Sequence, residues 1–356
     1  MRRRWLSLLL FSCSSMMALT SYGTTLDELL PNERNTVEIF QKFSPKVVYV
    51  HRLATVVNHS YERMQVNAGA GSGIIWDAQG HIVTNFHVIN GADNLTVSIG
   101  KLTVPAKVVG AEPRKDIAVL AIKSPKALEL LKSFTPFELT HTNELLVGQK
   151  TIAIGNPFGL DHSLTVGVIS ALGRQVPGAG GVTIRDMIQT DTSINPGNSG
   201  GPLLDSKGRL IGLNTAIYSN SGSSAGVGFA VPADDIARIV PQIIKNGRVM
   251  LSGIGIQVVE PHIARRLGIE KGLLVADVLP HTPAAQAKLH GTVRDSWGRI
   301  HIGDVITAIN GHPVKNYDNF YNILVDIKVG ETINLSVLRQ GKILNYKLRT
   351  IDIAAY

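Results

Sequence analysis

The sequence predicts a mainly β first domain followed by a smaller, separate α+β module. Three observations carry that expectation. About a dozen short β-branched or alternating runs lie between Val47 and Val231 with no long helix among them; turn signals at Asp77-Ala78-Gln79-Gly80 and Asp205-Ser206-Lys207-Gly208 close hairpins between such runs; and the pattern changes character beyond residue 252. Strands without interleaved helices exclude a parallel sheet and leave antiparallel barrels or a sandwich.

The 356 residues correspond to two or three compact units at about 150 residues each. With 44% hydrophobic and 17% charged residues and no long charged block, the chain reads as ordered and globular. The lone cysteine, Cys13, excludes an internal disulfide framework, a cysteine-rich zinc site and dithiol redox chemistry. Of the 35 basic residues three are Arg2, Arg3 and Arg4, so beyond residue 23 the balance is 32 basic against 27 acidic, or +5. Those charges are scattered, whereas a nucleic-acid footprint needs them clustered, so no nucleic-acid partner is expected.

Taken in order, the chain opens with the three arginines, an apolar stretch from Trp5 to Leu19, and Ser21-Tyr22-Gly23 with small residues where a signal peptidase reads. Residues 1–23 are therefore expected to be a signal peptide. The stretch is shorter than the roughly 20 apolar residues of a membrane span and carries four serines. Retention as a membrane anchor is the alternative, as is lipidation at Leu10-Phe11-Ser12-Cys13. Residues 24–46 form an N-terminal segment. Strands are expected at 73–76, 81–84, 95–99, 104–109, 117–122, 151–154, 163–170, 187–190, 203–204, 210–215 and 226–230, while the polar region from His51 to Ala70 takes no assignment. Helical spacing from Pro232 to Lys245 ends at Asn246-Gly247, with Pro241 expected to kink the helix. The first domain thus spans 47–245, a linker 246–252, and the second domain 253–350. In the second, strands are expected at 254–259, 273–278 and 302–309, with helices near 263–267, 283–289 and 317–327, then a hairpin around Gln340-Gly341.

The chemistry concentrates in Asn195-Pro196-Gly197-Asn198-Ser199-Gly200-Gly201, a serine in a tight glycine-rich loop just before an apolar strand. A serine hydroxyl is a weak nucleophile that needs an adjacent base, and the oxyanion it generates needs preorganised donors. The amides of Gly197 and Ser199 can supply those donors. His87 follows one apolar strand and Asp116 precedes another, so an imidazole to accept the serine proton and a carboxylate to fix its tautomer are both available. Taken singly, each has a bland reading: a turn, a half-buried histidine, a loop carboxylate. The loop also fits Gly-x-Ser-x-Gly, the nucleophile elbow of α/β-hydrolases, but a hairpin follows where that fold needs a helix. No phosphate loop, His-Glu-x-x-His pair or calcium loop occurs, so neither cofactor nor metal is expected.

Residues 84–89, 114–120, 194–217 and 226–232 together resemble the HtrA (Deg) family of trypsin-like serine proteases, and the resemblance covers nearly the whole chain after the export segment. Ser252 to Ile256 and Gly303 to Gly311 resemble the PDZ domain that follows the protease in that family. The insertion from His290 to His301 is most similar to the Deg1-like and cyanobacterial branch. The resemblance implies a two-barrel chymotrypsin-like protease domain followed by an α+β PDZ domain, with His87 and Asp116 in the first barrel and Ser199 in the second. It puts the base of the S1 pocket at Ser193, with Ile194 and Tyr218 as walls, and the substrate-pairing edge at Asn214-Thr215-Ala216. A basic P1 side chain would be desolvated beside Ser193 without a partner, so small or medium aliphatic P1 residues are expected. His51 to Ala70 matches the family's variable loop. Leu172 to Thr183 matches its sensor loop, with Arg174 as the regulatory candidate.

In the second domain, amides of Gly253, Ile254, Gly255 and Ile256 are expected to receive a peptide C-terminus, and Phe320, Ile323 and Leu324 to line its side-chain pocket. These implications add up to an exported, ATP-independent serine endopeptidase of the bacterial periplasm that degrades unfolded or damaged envelope proteins in quality control and stress response. A homotrimer, or a multiple of trimers, is expected from the family. The alternative is a peptide-binding chaperone or holdase whose triad is inactive.

Overall fold

In the computed structural model, residues 25–355 are described except 58–62, 158, 160, 179–181, 196 and 218–225. The signal-peptide assignment, Cys13 and Tyr218 lie outside the described residues. The N-terminal segment forms helix α1 (Pro31–Phe43), started by Pro31 at a position where a missing N–H is harmless. Its Ile39 and Phe43 are buried in the first core cluster, and Phe43 stacks on Phe137 at 5.6 Å.

The β-branched runs form strands β1 (Val47–Val57), β2 (Arg63–Ile75), β3 (His81–Thr84), β4 (Asn94–Ile99), β5 (Leu102–Glu112) and β6 (Ile117–Ile122), which close into one barrel in the order β1-β2-β3-β6-β5-β4. A second barrel in the order β10-β11-β12-β9-β8-β7 is built from β7 (Lys150–Gly155), β8 (Ser163–Pro177), β9 (Thr183–Thr190), β10 (Pro202–Leu204), β11 (Leu210–Ile217) and β12 (Gly228–Pro232). Closure removes the unpaired edges that open sheets present. Short helices α2 (Phe86–Ile89) and α3 (Pro125–Leu130) interrupt the first barrel's sequence and the connection to the second. Helix α4 (Ala233–Asn246) buries Ile236, Ile239, Val240 and Ile243, a stripe at helical spacing, in the same core cluster as Ile117 and Val119 of the first barrel and Leu213 and Val231 of the second. Pro241 sits inside α4, and Gly247 ends it in the left-handed conformation.

The region from His51 to Ala70, unassigned from sequence, belongs to a long hairpin. β1 and β2 pair from Val47↔Ile74 out to Val57↔Arg63, with one register shift at Arg52/Leu53. Polar side chains hid it, because the outer half of a hairpin that stands away from the core has no apolar face to alternate. The sensor region is likewise a β-arm: β8 runs on to Pro177, and Gly178 N–H donates to Val182 O at 2.8 Å to turn into β9.

Beyond α4, β13 (Ser252–Gly253), β14 (Ile256–Val258), α5 (Pro261–Arg266), β15 (Leu273–Val278), α6 (Pro283–Gln286), β16 (Val293–Arg294), β17 (Ile300–His301), β18 (Val305–Ile309), β19 (His312–Pro313), α7 (Tyr317–Val325), β20 (Thr332–Arg339), β21 (Lys342–Arg349) and β22 (Ile351–Asp352) form the second module. Its main sheet runs β14-β15-β18-β20-β21 with β19 beside β18, and its own core contains Leu273, Ile306, Ile333, Leu335 and Val337. The insertion supplies the separate β16–β17 hairpin.

Candidate active site

The three sequence candidates come from three differently built corners. Thr84 ends β3 fully buried, and α2 starts at once, so His87 stands in a single helical turn rather than on the strand. Asp116 ends a 3₁₀ turn over Pro113–Lys115 in the left-handed conformation, φ 55°, a region that aspartate tolerates better than most residues. That turn is fixed from below by the Glu112 carboxylate, which accepts from Arg114 N–H at 3.1 Å. Asp116 then grips the histidine twice. Oδ1 accepts from His87 N–H at 2.9 Å and Oδ2 from Nδ1 at 2.8 Å. With its proton on Nδ1, the imidazole presents Nε2 as an acceptor.

Thr215, on β11 of the other barrel, donates its hydroxyl to the same Oδ2 at 2.5 Å. One carboxylate therefore ties the barrels together. A second tie is Ser72 of β2, which sequence reading missed. Its hydroxyl donates to Gly197 O at 2.5 Å and accepts from Asn156 N–H, while its own N–H donates to Ser199 O at 2.8 Å. The signal in sequence would have been a polar residue flanked by glycines, which looks like any other turn.

The Ser199 loop is shaped by close contacts. A Cβ on Gly197, whose φ is +104°, would lie 2.3 Å from Pro157 Cβ, and one on Gly200 would lie 2.1 Å from Ser72 O. Within the loop, Asn198 N–H donates to Asn195 O, Gly200 N–H to Asn214 O and Gly201 N–H to Asn198 O. Among the described residues, the amides of Gly197 and Ser199 have no such acceptor. These are the two amides expected to serve as oxyanion donors. Gly71 sits between the Ser199 loop and the helical turn that carries His87: a Cβ placed on it would lie 2.7 Å from Val88 Cγ2 and 3.0 Å from Ser199 O. Among the described residues, the His87 ring bonds Asp116, and no hydrogen bond joins Ser199 Oγ to His87.

The expected substrate-binding residues divide. Ser193 is exposed, and its carbonyl accepts from Thr165 Oγ1 at 2.9 Å. Ile194 is not a wall open to ligand: it is fully buried in the second barrel's core, with Ile188 and Ile211 in the same cluster. Asn214 is also committed, since its N–H donates to Gly201 O, its carbonyl accepts from Gly200, and its side chain donates to Pro202 O. Thr215 and Ala216 differ, because the β11–β12 ladder shifts register between Asn214 and Ile217 and leaves both outside the pairing.

Arg174 holds Gln189 of the neighbouring strand at 2.8 Å. The contacts to the second module lie elsewhere. Asp318 of α7 accepts from Thr183 N–H at 2.6 Å, Arg185 donates to Asn322 O at 2.5 Å and pairs with Asp326 at 3.1 Å, and Arg114 stacks 4.7 Å over the Tyr321 ring. The guanidinium on that ring stands two residues from Asp116. Burial pushes the Glu112 carboxyl up despite the pull of Arg114, Arg238 and Lys115, and it raises the Tyr321 phenol to about 12.

In the second module a groove of about 290 Å³ runs between Ile256 to Val258 and α7, with Phe320 and Leu324 along it and Arg114 at its rim. Ile323 is not in that lining and packs, half-buried, against the module's core. Gly253 is paired with Ile351 and covered by the Ile353 side chain, while the Ile254 side chain is buried in the core. Gly255, at φ +83°, abuts Thr282 so closely that a Cβ would lie 2.3 Å from it. Sequence spacing could not separate these neighbours, because every second or third apolar residue here serves packing and groove together.

Residues 71–213 match the family model described as a trypsin-like peptidase domain, and residues 252–350 match that of a PDZ domain. The chain is 48% identical over 319 residues to Protease Do-like 1, chloroplastic, of Arabidopsis thaliana, covering 89% of this chain and 71% of that protein. It is 41% identical over 277 residues to a probable periplasmic serine endoprotease, DegP-like, of Brucella suis, covering 76% of this chain and 50% of that protein. Among solved structures, the HtrA-type protease AlgW with decapeptide superposes with a TM-score of 0.66 at 32% identity, over 89% of this chain and 98% of that one.

Proposed function

Because this chain belongs to the HtrA (Deg) family of serine endoproteases, we propose that it cleaves unfolded or damaged proteins of the bacterial envelope without ATP, through Ser199, His87 and Asp116. The observation that carries the reading is the doubly bonded His87–Asp116 pair together with a Ser199 loop whose Gly197 and Ser199 amides lack an acceptor among the described residues. In the reaction, Nε2 of His87 takes the Ser199 proton as Oγ attacks the scissile carbonyl. The two amides receive the oxyanion, and His87 returns the proton to the leaving amine. Water then repeats the sequence on the acyl-enzyme. Asp116 holds the ring and stabilises the imidazolium, and Thr215 holds Asp116.

An extended substrate pairs along Thr215 and Ala216, with a small or medium aliphatic P1 residue over Ser193, where no carboxylate waits for a basic one. The PDZ groove captures exposed chain ends. Since α7 lines that groove and also holds Thr183, Arg185 and Arg114, occupancy is transmitted to the β8–β9 arm and to the Asp116 turn. Export by residues 1–23 to the periplasm, and assembly as a trimer through the 24–46 segment, complete the proposal. A peptide-binding holdase is the second reading, favoured by the groove of about 290 Å³ along α7. Comparing Ser199→Ala with wild type on unfolded casein separates them: loss of all peptide release in the variant is expected, and equal release from both would end the protease assignment.

A further inference from the structure

The β16–β17 hairpin of the second module leaves both of its faces in water. Its strands pair Val293↔His301 and Arg294↔Ile300, and all four residues are exposed. Trp297 at the tip is 78% exposed, Val293 59% and Ile300 45%, and Ile302 just beyond is 44% exposed. Single apolar side chains at a surface are ordinary, but these four share one short projection and one of them is an indole. We propose that the hairpin docks on an anionic phospholipid surface, with the Trp297 ring in the interfacial layer and the guanidiniums of Arg294 and Arg299 against lipid phosphates. The inference is independent of the protease reading above.

A two-stranded hairpin on its own is marginally stable in water, and this one is held at both ends. At its base a Cβ on Gly303 would lie 2.6 Å from the Gly291 carbonyl carbon, so the two chains leave the module side by side. Thr292 Oγ1 donates to Val275 O at 2.8 Å and accepts from Gly303 N–H at 3.1 Å, and the fully buried Asp304 accepts from His290 N–H at 2.9 Å. At the tip the Asp295 carboxylate accepts from the amides of Trp297 and Arg299 at 3.0 and 2.9 Å and from Arg299 Nε at 2.8 Å, and it bonds His301 Nε2 at 3.0 Å. The indole is therefore presented on a preformed turn, and little ordering remains to be done on docking. Charge selects the occupant. Between residues 288 and 301 stand three basic side chains, Lys288, Arg294 and Arg299, and one acidic one, Asp295, which the turn already uses. Arg294 donates to Gly298 O at 3.1 Å and has no carboxylate partner among the described residues. The Arg299 guanidinium lies 5.0 Å over the Trp297 ring. An apolar ring carrying a cation suits the boundary between acyl chains and phosphates, where tryptophan and basic residues both gather at anionic membranes. A protein partner covers one face of a hairpin, whereas a lipid interface surrounds both, as this exposure requires. The two-residue strands are far short of the roughly 9–11 residues of a spanning strand, and no helix among the described residues is long and apolar enough to cross, so the contact is with the surface.

The test reads Trp297 itself. The chain has three tryptophans; with Trp5→Phe in place, the two that remain are Trp76, packed against the first core cluster, and Trp297. The full chain carrying Trp5→Phe is mixed with vesicles of brominated phosphatidylcholine containing increasing phosphatidylglycerol, and quenching by bromolipid is compared with quenching by acrylamide in the water. Bromolipid quenching should rise with the phosphatidylglycerol content as acrylamide quenching falls, and high salt should weaken the effect. Adding Trp297→Phe should abolish the bromolipid-sensitive emission. Adding Arg294→Glu, which reverses one charge, should raise the phosphatidylglycerol needed for half-quenching by at least about five-fold. The apolar stretch from Trp5 to Leu19 is otherwise the same in all these chains, so its own affinity for vesicles cancels in the comparison. Both positions are exposed, so thermal melting should match the parent chain and separates lost docking from lost folding. Trp297 emission that stays open to acrylamide and untouched by bromolipid at every composition would overturn the proposal, as would quenching that is equal with and without phosphatidylglycerol. Shielding of Trp297 by unfolded casein in place of lipid would assign the hairpin to a protein partner and overturn it too. Ser199-dependent cleavage of casein is measured on the same chains and should be unchanged by either hairpin substitution, so failure here leaves the protease reading standing.

Discussion

Gly197→Ala separates catalysis from folding at a single carbon atom. The new Cβ would stand 2.3 Å from Pro157 Cβ, against an optimal carbon–carbon separation of about 3.5–4.0 Å, so the two chains cannot both keep their places. The backbone there has φ +104°, a conformation that L-residues hold only at roughly 1–3 kcal/mol of strain. Relief requires the Gly197 peptide to shift by more than 1 Å on the order of the contact deficit. That shift carries one oxyanion amide out of line and pulls Gly197 O from the Ser72 hydroxyl. Losing one such donor lowers kcat by about 10²–10³, or roughly 2.7–4 kcal/mol of transition-state stabilisation. The fold should survive, because both barrel cores lie outside the loop. At about 2–4 °C per kcal/mol for a domain of this size, the strain lowers Tm by roughly 2–12 °C. Gly91→Ala is the control: its φ is +74°, yet nothing lies within 4 Å of the added Cβ, so it carries strain without collision. Turnover of fluorogenic unfolded casein and thermal melting would be measured on both. If Gly197→Ala lowered Tm like the control but kept wild-type kcat, the amide at this position would have no part in stabilising the oxyanion.

Two further outcomes follow from the hydrogen bonds and burial around Asp116. Thr215→Val removes the 2.5 Å bond to Asp116 Oδ2, and since bonds to charged groups contribute about 1.5–3 kcal/mol, kcat/KM should fall roughly 10- to 100-fold. The pH profile of kcat/KM should shift as well, which a merely destabilised barrel would not produce; an unaltered profile with unaltered rate would refute the role given to Thr215. Burial raises the Glu112 carboxyl in the folded state, so as pH rises above about 4.5 the unfolded chain releases this proton first. Stability from this group is full below the unfolded value and is lost as pH climbs through the folded one. Glu112→Gln keeps an acceptor for Arg114 N–H and should therefore raise Tm relative to wild type at pH 7, with the difference disappearing below pH 4 in melting curves. A Tm difference independent of pH would contradict the burial account.

The strands whose sequence alternates against a core were legible with little error: residues 117–122 and 273–278 have the bounds their apolar runs suggest. The β1–β2 hairpin was not, because its outer part faces water and carries no hydrophobic period. The second module's helix at 317 was legible from its amphipathic spacing, yet the same spacing could not tell that Phe320 and Leu324 face the groove while Ile323 does not. Arg174 was a regulatory candidate through the resemblance of 172–183 to the family's sensor loop, and its guanidinium bonds Gln189 of the neighbouring strand. The residues that meet the second module, Thr183, Arg185 and Arg114, carry no local signature.

The chain by itself determined its mainly β first half and its second module, and it singled out His87, Asp116 and Ser199 as candidates, since hydrophobic period and glycine content are properties of neighbours along the chain. Only the tertiary structure decided that one carboxylate is held from both barrels, that Ser72 clips the Ser199 loop, and that a guanidinium beside the Asp116 turn rests on the α7 helix. Those contacts join residues as far apart in the chain as Arg114 and Tyr321, and a hydrogen bond or a stacked ring depends on where barrel closure brings atoms, which no local pattern encodes.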